Sequence, residues 1–409
     1  METRGIPFVL AGVGGVGRAL LEAVVAQREL HAERFGIRFD AVAVCDSSGA
    51  VTSDGGLTDE QIDAIVAHKA AGNKLISFTG GGTIETPNDF KKGGYKLEGE
   101  PQSPEDFLKG VVHRRDLVTF ATAPHSNGLG AIMVDCTAGQ TTVPAMLAAV
   151  KAGGRAVTAN KKPVADAPME VFEQLVLQPL GPARTRYESS VGAGLPAIAA
   201  VQRVVAGGDE VSRIAGSFSG TVGYLMSGLQ AGGKFSDVVR KAKELGFTEP
   251  DPRDDLSGTD VARKALILAR TLGMRAELSD VAVEPLYPAE LASLSVPEFM
   301  AALPTLDESF RARGEAAAAQ GKVVRYAAEV NPPSAANPKG SLKVGLLAVD
   351  ASSPLGTLTG SDNLVEVYSK WYNETPLVLR GAGAGNGTTA AGVLADMVEL
   401  AFTSNSFRR

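Results

Sequence analysis

Short apolar runs alternate with helical patterns through the first part of the chain. Residues 6–10 form one such run, which ends at a glycine-rich turn and precedes a helical pattern over residues 18–31. A second run, residues 40–45, ends at Asp46. Because buried parallel strands are short, apolar and separated by helices, this alternation predicts an α/β fold with a doubly wound, mostly parallel sheet.

The alternation is interrupted and then resumes. Residues 50–127, rich in glycine and polar residues after about residue 79, are predicted to form an insertion that is partly loop. Strands are predicted at residues 131–136 and 155–158, with a helix at 143–151 between them.

The pattern changes after Tyr187, where mixed strand and helical signals predict a second, α+β domain. A glycine run at residues 381–387 then leads into a last helix, predicted at 388–402. The strands predicted in the second domain are residues 214–219, 323–330 and 342–349. The predicted segments are residues 1–186, 187–380 and 381–409.

The glycine-rich turn has the spacing G-x-G-x-x-G. It reads Gly12-Val13-Gly14-Gly15-Val16-Gly17 and lies between a predicted strand and a predicted helix. This context is typical of a Rossmann-type nucleotide domain, in which the turn approaches the pyrophosphate and the helix N-terminus stabilises its charge. The alternatives are a plain strand–helix turn and an FAD site, although no second FAD motif is present.

Asp46 ends the second predicted strand, where an acidic residue commonly binds the adenosine ribose. A carboxylate there favours NAD over NADP, because it would repel the 2′-phosphate of NADP. Asp46 could instead be a turn-forming aspartate. The cations that would favour NADP lie in the insertion and are Lys91, Lys92, Arg114 and Arg115.

Composition excludes several classes of protein. The 409 residues carry a formal net charge of −6 without a long basic run, which argues against nucleic-acid binding. No apolar run reaches the ~20 residues of a membrane span, and no signal peptide precedes the first strand. Cys45, Cys136 and four scattered histidines provide neither a disulfide framework nor a zinc site. We expect a cytoplasmic protein with a small-molecule substrate; a plastid is the alternative if a transit peptide has been removed.

The stretch DPRDDLSGTDVARK, residues 251–264, concentrates acidic and basic side chains. Its spacing does not match a calcium-binding loop. Ser257 and Asp260 match a capping box for a helix at about residues 258–272, with Val261, Ala265, Leu268 and Leu272 as its buried stripe.

The same stretch also carries a second, catalytic interpretation. Asp260 and Lys264 lie one helical turn apart on one face, where a carboxylate and an ammonium can bind an alcohol and move its proton. Glu249, Asp254 and Asp255 lie just ahead and could bind a substrate ammonium. The pattern alone leaves capping and catalysis open.

Eight stretches together resemble the homoserine dehydrogenase family. They follow the family's order from residue 12 to residue 385, and the block at 249–264 is the most specific. The match covers nearly the whole chain apart from the insertion. The stretches are residues 12–17, 134–137, 158–163, 187–188, 191–196, 249–255, 256–264 and 381–385.

The resemblance implies a reaction and residue roles. The family catalyses the reversible NAD(P)-dependent reduction of L-aspartate 4-semialdehyde to L-homoserine, on the route to threonine and methionine. Lys264 would donate and accept the proton, Asp260 would hold the reacting oxygen, and Lys161 would lie beside nicotinamide and substrate. Glu249 and Asp255 would bind the substrate ammonium. The cofactor-binding positions would be Gly12, Gly14, Gly15, Val16, Gly17, Asp46, Thr137, Asn160, Lys161 and Gly385.

The resemblance also implies a monovalent cation, Na⁺ or K⁺, and a homodimer. The Glu188 side chain and the backbone carbonyls of Val191, Ala193 and Leu195 would bind the cation, although Glu188 could instead cap a glycine turn. Residues 187–380 would bind substrate and form the dimer, and residues 381–409 would return to the nucleotide domain. One departure is Phe247, where the family often carries a tyrosine.

Two other functions fit parts of the sequence. Cys136 at the end of a strand could be the nucleophile of an aldehyde dehydrogenase, but no histidine lies near it in sequence to act as base. A non-catalytic NAD-binding redox sensor is the other alternative, against which the intact Asp260 and Lys264 argue. The chain has no room for a kinase or regulatory domain at either end, so we expect no threonine inhibition through such a domain.

Overall fold

A computed structural model describes residues 3–86, 108, 111, 131–151, 153–177 and 184–402. The chain divides into two compact units. The first comprises Met1–Ser190 and Gly385–Arg409, and the second comprises Val191–Ala384. The sequence pattern had placed these divisions after residues 186 and 380. The cations Lys91, Lys92, Arg114 and Arg115 lie outside the described residues.

The first unit contains a seven-stranded sheet with the order β4-β3-β2-β1-β5-β6-β7. Strands β1, β2, β5, β6 and β7 run parallel, in agreement with the predicted doubly wound sheet. The strands are β1 (Arg4–Ala11), β2 (Ile37–Asp46), β3 (Gly49–Thr52), β4 (Thr83–Glu85), β5 (Ile132–Asp135), β6 (Arg155–Thr158) and β7 (Thr185–Arg186).

The start of the predicted insertion belongs to this sheet. Strand β3 pairs antiparallel with β2 through a two-residue turn at Ser47 and Ser48, and β4 pairs antiparallel with β3. The predicted insertion, residues 50–127, therefore contributes two strands to the sheet. A tight hairpin reverses the chain without an intervening helix, so the parallel alternation could not indicate it.

Helices cover this sheet, and two of them pack into its core. The predicted helix 18–31 is in fact two helices, α1 and α2, because the backbone leaves helical geometry at Gln27. Leu20 of α1 and Met397 of α13 are fully buried in one apolar cluster with Phe8 of β1. The helices of this unit are α1 (Gly15–Ala26), α2 (Arg28–Phe35), α3 (Asp59–Ala70), α4 (Val143–Lys151), α5 (Met169–Leu175) and α13 (Asn386–Phe402).

The second unit is built on a six-stranded sheet with the order β13-β12-β8-β10-β11-β9. All its strand pairs are antiparallel except β11 with β9. The sequence predicted three of these strands, now β8, β10 and β11. The six are β8 (Val211–Ser217), β9 (Val281–Val283), β10 (Lys322–Asn331), β11 (Ser341–Asp350), β12 (Asp362–Ser369) and β13 (Leu377–Ala382).

The helices of the second unit position its acidic stretch. Helix α10 is buried on almost every side, whereas the sequence predicted a single buried stripe ending at Leu272, which is only half-buried. The helices are α6 (Ala197–Ala206), α7 (Gly220–Gln230), α8 (Phe235–Glu244), α9 (Pro252–Leu256), α10 (Thr259–Thr271), α11 (Val296–Ala302) and α12 (Asp307–Ala318). Among the described residues, none of these helices combines the length and apolar character that crossing a membrane requires.

Candidate active site

The glycine turn between β1 and α1 has the geometry of a pyrophosphate cradle. Gly12 has φ 90°, and a Cβ there would lie 2.7 Å from the Cys136 carbonyl oxygen. A Cβ at Gly17 would lie 2.0 Å from the Gly12 carbonyl oxygen. Gly14 faces open space, and no side chain caps the start of α1. The backbone N–H groups of Gly15 and Val16 in this first turn are thus available to an anion, so these residues fit a dinucleotide cofactor.

A buried carboxylate organises the neighbouring strand ends. Asp135, fully buried at the end of β5, accepts hydrogen bonds from Thr137 Oγ1 at 2.7 Å, Thr142 Oγ1 at 2.6 Å and Asn160 Nδ2 at 3.0 Å. Burial raises the pKa of Asp135 despite these hydrogen bonds. Thr137 and Asn160, both predicted to bind cofactor, are therefore held together by this side chain. Asp135 was not among the site residues predicted from the sequence, although an acid that ends a buried strand was a usable signal.

Asp46 lies at the end of β2, as predicted, but its carboxylate is already engaged. One oxygen accepts from the Ser48 N–H and hydroxyl, and the other accepts from Lys69 Nζ at 2.6 Å and the Leu75 N–H at 3.1 Å. Burial raises the pKa of Asp46, but these hydrogen bonds outweigh burial and lower the pKa overall. Asp46 is thus an ionised group paired with Lys69 of α3, a partner that the sequence analysis missed.

In the second unit, α10 brings Asp260 and Lys264 together. Lys264 is 8% exposed, and its Nζ lies 2.8 Å from Asp260 Oδ2 and donates to the Phe218 carbonyl at 2.5 Å. Two acceptors therefore hold the ammonium of a nearly buried lysine in one position. The Phe218 carbonyl, which follows β8, could not be identified from sequence because it lies 46 residues away.

The predicted capping box at this helix is wrong. The Ser257 hydroxyl accepts from the Thr259 N–H at 3.3 Å, and the Asp260 carboxylate pairs with Lys264. Gly258 precedes the helix with φ 75°, and a Cβ there would lie 2.0 Å from Tyr326 Oη. The helix therefore begins after a closely packed, left-handed glycine and has no side-chain cap. The Asp260 side chain pairs with Lys264 instead.

The acids ahead of α10 differ in their surroundings. Asp255 is half-buried and accepts from the Glu249 N–H at 2.8 Å, whereas Asp254 is exposed. Burial, followed by the nearby Asp260 and Asp254 carboxylates, raises the pKa of Asp255. Such crowding of carboxylates is relieved by a bound cation, as a substrate ammonium would be. Asp251 is excluded from this role because it forms an ion pair with Arg253 at 2.6 Å.

Phe247, the departure from the family pattern, lies beside these acids in sequence. Its carbonyl accepts from Thr221 Oγ1 at 2.6 Å, and its ring meets the Tyr224 ring edge to face at 5.0 Å. The residue is 47% exposed. A phenylalanine can fill this position through its backbone and its ring face without a hydroxyl group.

The remaining predicted residues are distributed between the two units. Lys161 belongs to the first unit and follows β6, and Gly385 begins the segment that returns to that unit. Glu188, in the first unit, is 8% exposed, and its N–H donates to Asp396 Oδ2 at 2.9 Å. Burial raises the pKa of Asp396 to about 8.

Val191, Ala193 and Leu195 belong to the second unit. Ala193 has φ 57° and is the one residue other than glycine with a left-handed backbone in the described part of the chain. Non-glycine residues in this conformation are strained and are retained where the site requires them. The Leu195 carbonyl accepts from the Ala197 N–H at 2.7 Å.

Cys136 has the environment of an inert thiol. It is half-buried, and burial, followed by the neighbouring Asp135 carboxylate, raises the pKa of its thiol far above the usual range. Because the thiolate is the nucleophile, this environment argues against thioester chemistry. We expect Cys136→Ser to retain its steady-state kcat within about threefold. Loss of ~100-fold or more would support a covalent role for the thiol.

The first unit is a doubly wound α/β unit whose glycine turn fits a dinucleotide. The second unit carries an acid–lysine pair. Both features are typical of the dehydrogenase class. A family model described as homoserine dehydrogenase matches residues 196–398. The homoserine dehydrogenase of Emericella nidulans is 39% identical over 73% of this chain and 82% of its own length. The chain belongs to the homoserine dehydrogenase family.

Other relatives are longer or match mainly in structure. The bifunctional aspartokinase/homoserine dehydrogenase of Haemophilus influenzae is 36% identical over 96% of this chain, which spans 42% of that relative's length. A Candida auris protein of unknown function has 30% identity and a TM-score of 0.76, over 98% of this chain and 99% of its own. A putative homoserine dehydrogenase from Archaeoglobus fulgidus has a TM-score of 0.67 at 23% identity, over 97% of this chain and 99% of its own, and shows the fold alone.

Proposed function

We propose that the chain catalyses the reversible NAD(P)-dependent reduction of L-aspartate 4-semialdehyde to L-homoserine. The observation that carries this proposal is the Lys264–Asp260 pair, fixed at 2.8 Å with Lys264 nearly buried. Asp255 and Glu249 precede it and provide carboxylates for a substrate ammonium. The similarity of the chain to homoserine dehydrogenases from three fungi supports the same reaction.

The chemistry follows from charge. The nicotinamide cofactor, when bound, supplies the hydride that adds to the aldehyde carbon. Negative charge then develops on the aldehyde oxygen, and a fixed cation lowers the barrier to its formation. Lys264 donates the proton to this oxygen, Asp260 holds the ammonium in place, and Lys161 contributes a second positive charge.

The decisive experiment measures cofactor oxidation at 340 nm with L-aspartate 4-semialdehyde, using NADH and NADPH in parallel. The reverse reaction is measured as cofactor reduction with L-homoserine and the oxidised cofactors. Acetaldehyde and succinate semialdehyde serve as controls that lack the substrate ammonium. Equal turnover of these controls, or none with aspartate semialdehyde, would contradict the proposal.

The cofactor preference depends on two residues. Asp46 alone would favour NAD, but Lys69 donates to its carboxylate at 2.6 Å and offsets its charge. We propose that this pair lets the protein accept NADP as well as NAD, because a 2′-phosphate would meet an ammonium beside the carboxylate. A homologous archaeal homoserine dehydrogenase has been solved with NADPH.

Lys69→Ala is expected to lower kcat/KM for NADPH by about tenfold, because Asp46 would then repel the 2′-phosphate without compensation. The kcat/KM for NADH should change by less than about threefold. Lys74→Ala is the matched control, since Lys74 is an exposed lysine in the same segment. An unchanged NADPH-to-NADH ratio in Lys69→Ala would show that this pair does not set the preference.

The monovalent cation and the homodimer are further proposals. The strained backbone at Ala193 and the buried Glu188 support a cation bound by the Glu188 side chain and the carbonyls of Val191, Ala193 and Leu195. Activity in Na⁺ or K⁺ salts, compared with tetramethylammonium at equal ionic strength, tests this. Light scattering tests the homodimer.

A further inference from the structure

Asn386 packs against the glycine turn of the first unit. A Cβ built on Gly15 would lie 2.5 Å from both Nδ2 and Oδ1 of Asn386. The φ of Gly15 is not in the left-handed region, so its backbone does not itself require glycine. Gly15 also occupies a variable position of the G-x-G-x-x-G spacing. The contact with Asn386 therefore accounts for a glycine that the turn does not need.

The amide group of the Asn386 side chain is not used for hydrogen bonding within the described residues. It is exposed at the start of α13, and within the described residues it forms no hydrogen bond. The start of α13 is stabilised by other groups, since Thr388 Oγ1 and Thr389 Oγ1 donate to the Gly385 carbonyl at 3.0 and 2.8 Å. The Asn386 amide is thus not needed to close this turn of its own segment.

The location of the amide determines what it can bind. Gly15 is the first residue of α1, where uncapped backbone N–H groups face the place that a cofactor pyrophosphate takes. Gly14, beside it, faces open space. An amide N–H is a donor that suits a phosphoryl oxygen and carries no charge that would also attract free anions.

We propose that Asn386 is a cofactor-positioning residue whose Nδ2 donates to the pyrophosphate of NAD(P). This inference rests on the proposed function, because it requires a dinucleotide on the glycine turn. It extends the pyrophosphate site from the backbone of α1 to a side chain of α13. The last segment of the chain thereby contributes directly to cofactor affinity.

The test compares Asn386→Asp and Asn386→Ala with the wild type, without substrate. NADH binding is followed by fluorescence titration, and ADP-ribose and AMP binding by calorimetry. We expect Asn386→Asp to weaken NADH and ADP-ribose at least about tenfold, because a carboxylate would oppose the pyrophosphate. Asn386→Ala should weaken both about three- to tenfold, which corresponds to one lost hydrogen bond. AMP, which lacks a pyrophosphate, should bind all proteins alike.

Controls separate this role from a structural one. Asn373→Asp makes the same change at an exposed asparagine of the second unit and should leave affinities unchanged. The thermal midpoint of each cofactor-free variant should stay within about 2 °C of the wild type. Unchanged ADP-ribose affinity in both Asn386 variants, or an equal loss for AMP, overturns the inference.

Failure of the proposed function gives a different result. If the wild-type protein binds no NADH, both the proposed dinucleotide site and this inference are wrong. A wild type that binds NADH but does not reduce aspartate semialdehyde overturns the reaction and leaves the inference to be judged by ADP-ribose.

Discussion

Lys264→Ala is expected to lower kcat for aspartate semialdehyde reduction at least about 100-fold, while the Kd for NADH changes by less than about twofold. The physical reason is that the variant loses the proposed proton donor and one of the two charges proposed to stabilise the developing alkoxide. Cofactor affinity should persist, because the glycine turn and α1 belong to the first unit and do not include this residue. Stopped-flow single turnovers would assign the loss to the chemical step.

Three comparison variants make this expectation specific. Lys241→Ala removes an exposed lysine of α8 and should leave kcat unchanged. Lys264→Arg keeps the charge but cannot donate a proton readily, so it should recover only part of the rate. Asp260→Asn keeps the shape and removes the charge that holds the ammonium at 2.8 Å. Near-normal turnover in Lys264→Ala would refute the assignment of Lys264 as proton donor.

Asp135→Ala is expected to lower the free energy of unfolding by about 3 kcal/mol or more. The side chain is fully buried and accepts from four other side chains, so its removal leaves buried donors on Thr142 and Asn160 without this acceptor. Thr137 and Asn160 would lose their common partner, and NADH affinity should fall as well. Urea denaturation followed by circular dichroism, together with NADH titration, measures both effects.

A surface acid provides the control for Asp135. Asp63 is exposed on α3, and Asp63→Ala should change the free energy of unfolding by less than about 0.5 kcal/mol. Asp135→Asn keeps the shape of the side chain, and its free energy of unfolding should lie between those of the wild type and Asp135→Ala. If Asp135→Ala lowers the free energy of unfolding no more than Asp63→Ala does, the hydrogen bonds to Asp135 contribute little to stability.

Sequence reasoning succeeded where the signal is local. Strands β1, β2, β5 and β6 of the first unit were predictable because each contains a short apolar run, whereas the two-residue β7, Thr185–Arg186, was not predicted. Asp260 and Lys264 were predictable as neighbours because residues four apart lie on one face of a helix. Strands β12 and β13 were not predicted, although they are close in sequence and pair with each other; β12 also pairs with β8, which is distant in sequence.

The missed contacts share a physical cause. Lys69 reaches Asp46 across a hairpin, and the Phe218 carbonyl reaches Lys264 from another element. Such contacts depend on how separate elements pack against each other. They leave no periodic pattern in the sequence from which they could be predicted. At Ser257, a capping pattern was present, but the left-handed Gly258 and its contact with Tyr326 determined how the helix begins. Local preference was overridden by tertiary packing.

The burial of α13 in the core of the first unit has a consequence for biosynthesis. This helix is synthesised after the whole of the second unit, yet residues of α1 and β1 depend on it for their apolar environment. The second unit is contiguous in sequence and can complete its core earlier. The first unit, although its synthesis begins first, therefore becomes complete only after the second unit has been synthesised, and until then its exposed apolar surface can be bound by chaperones.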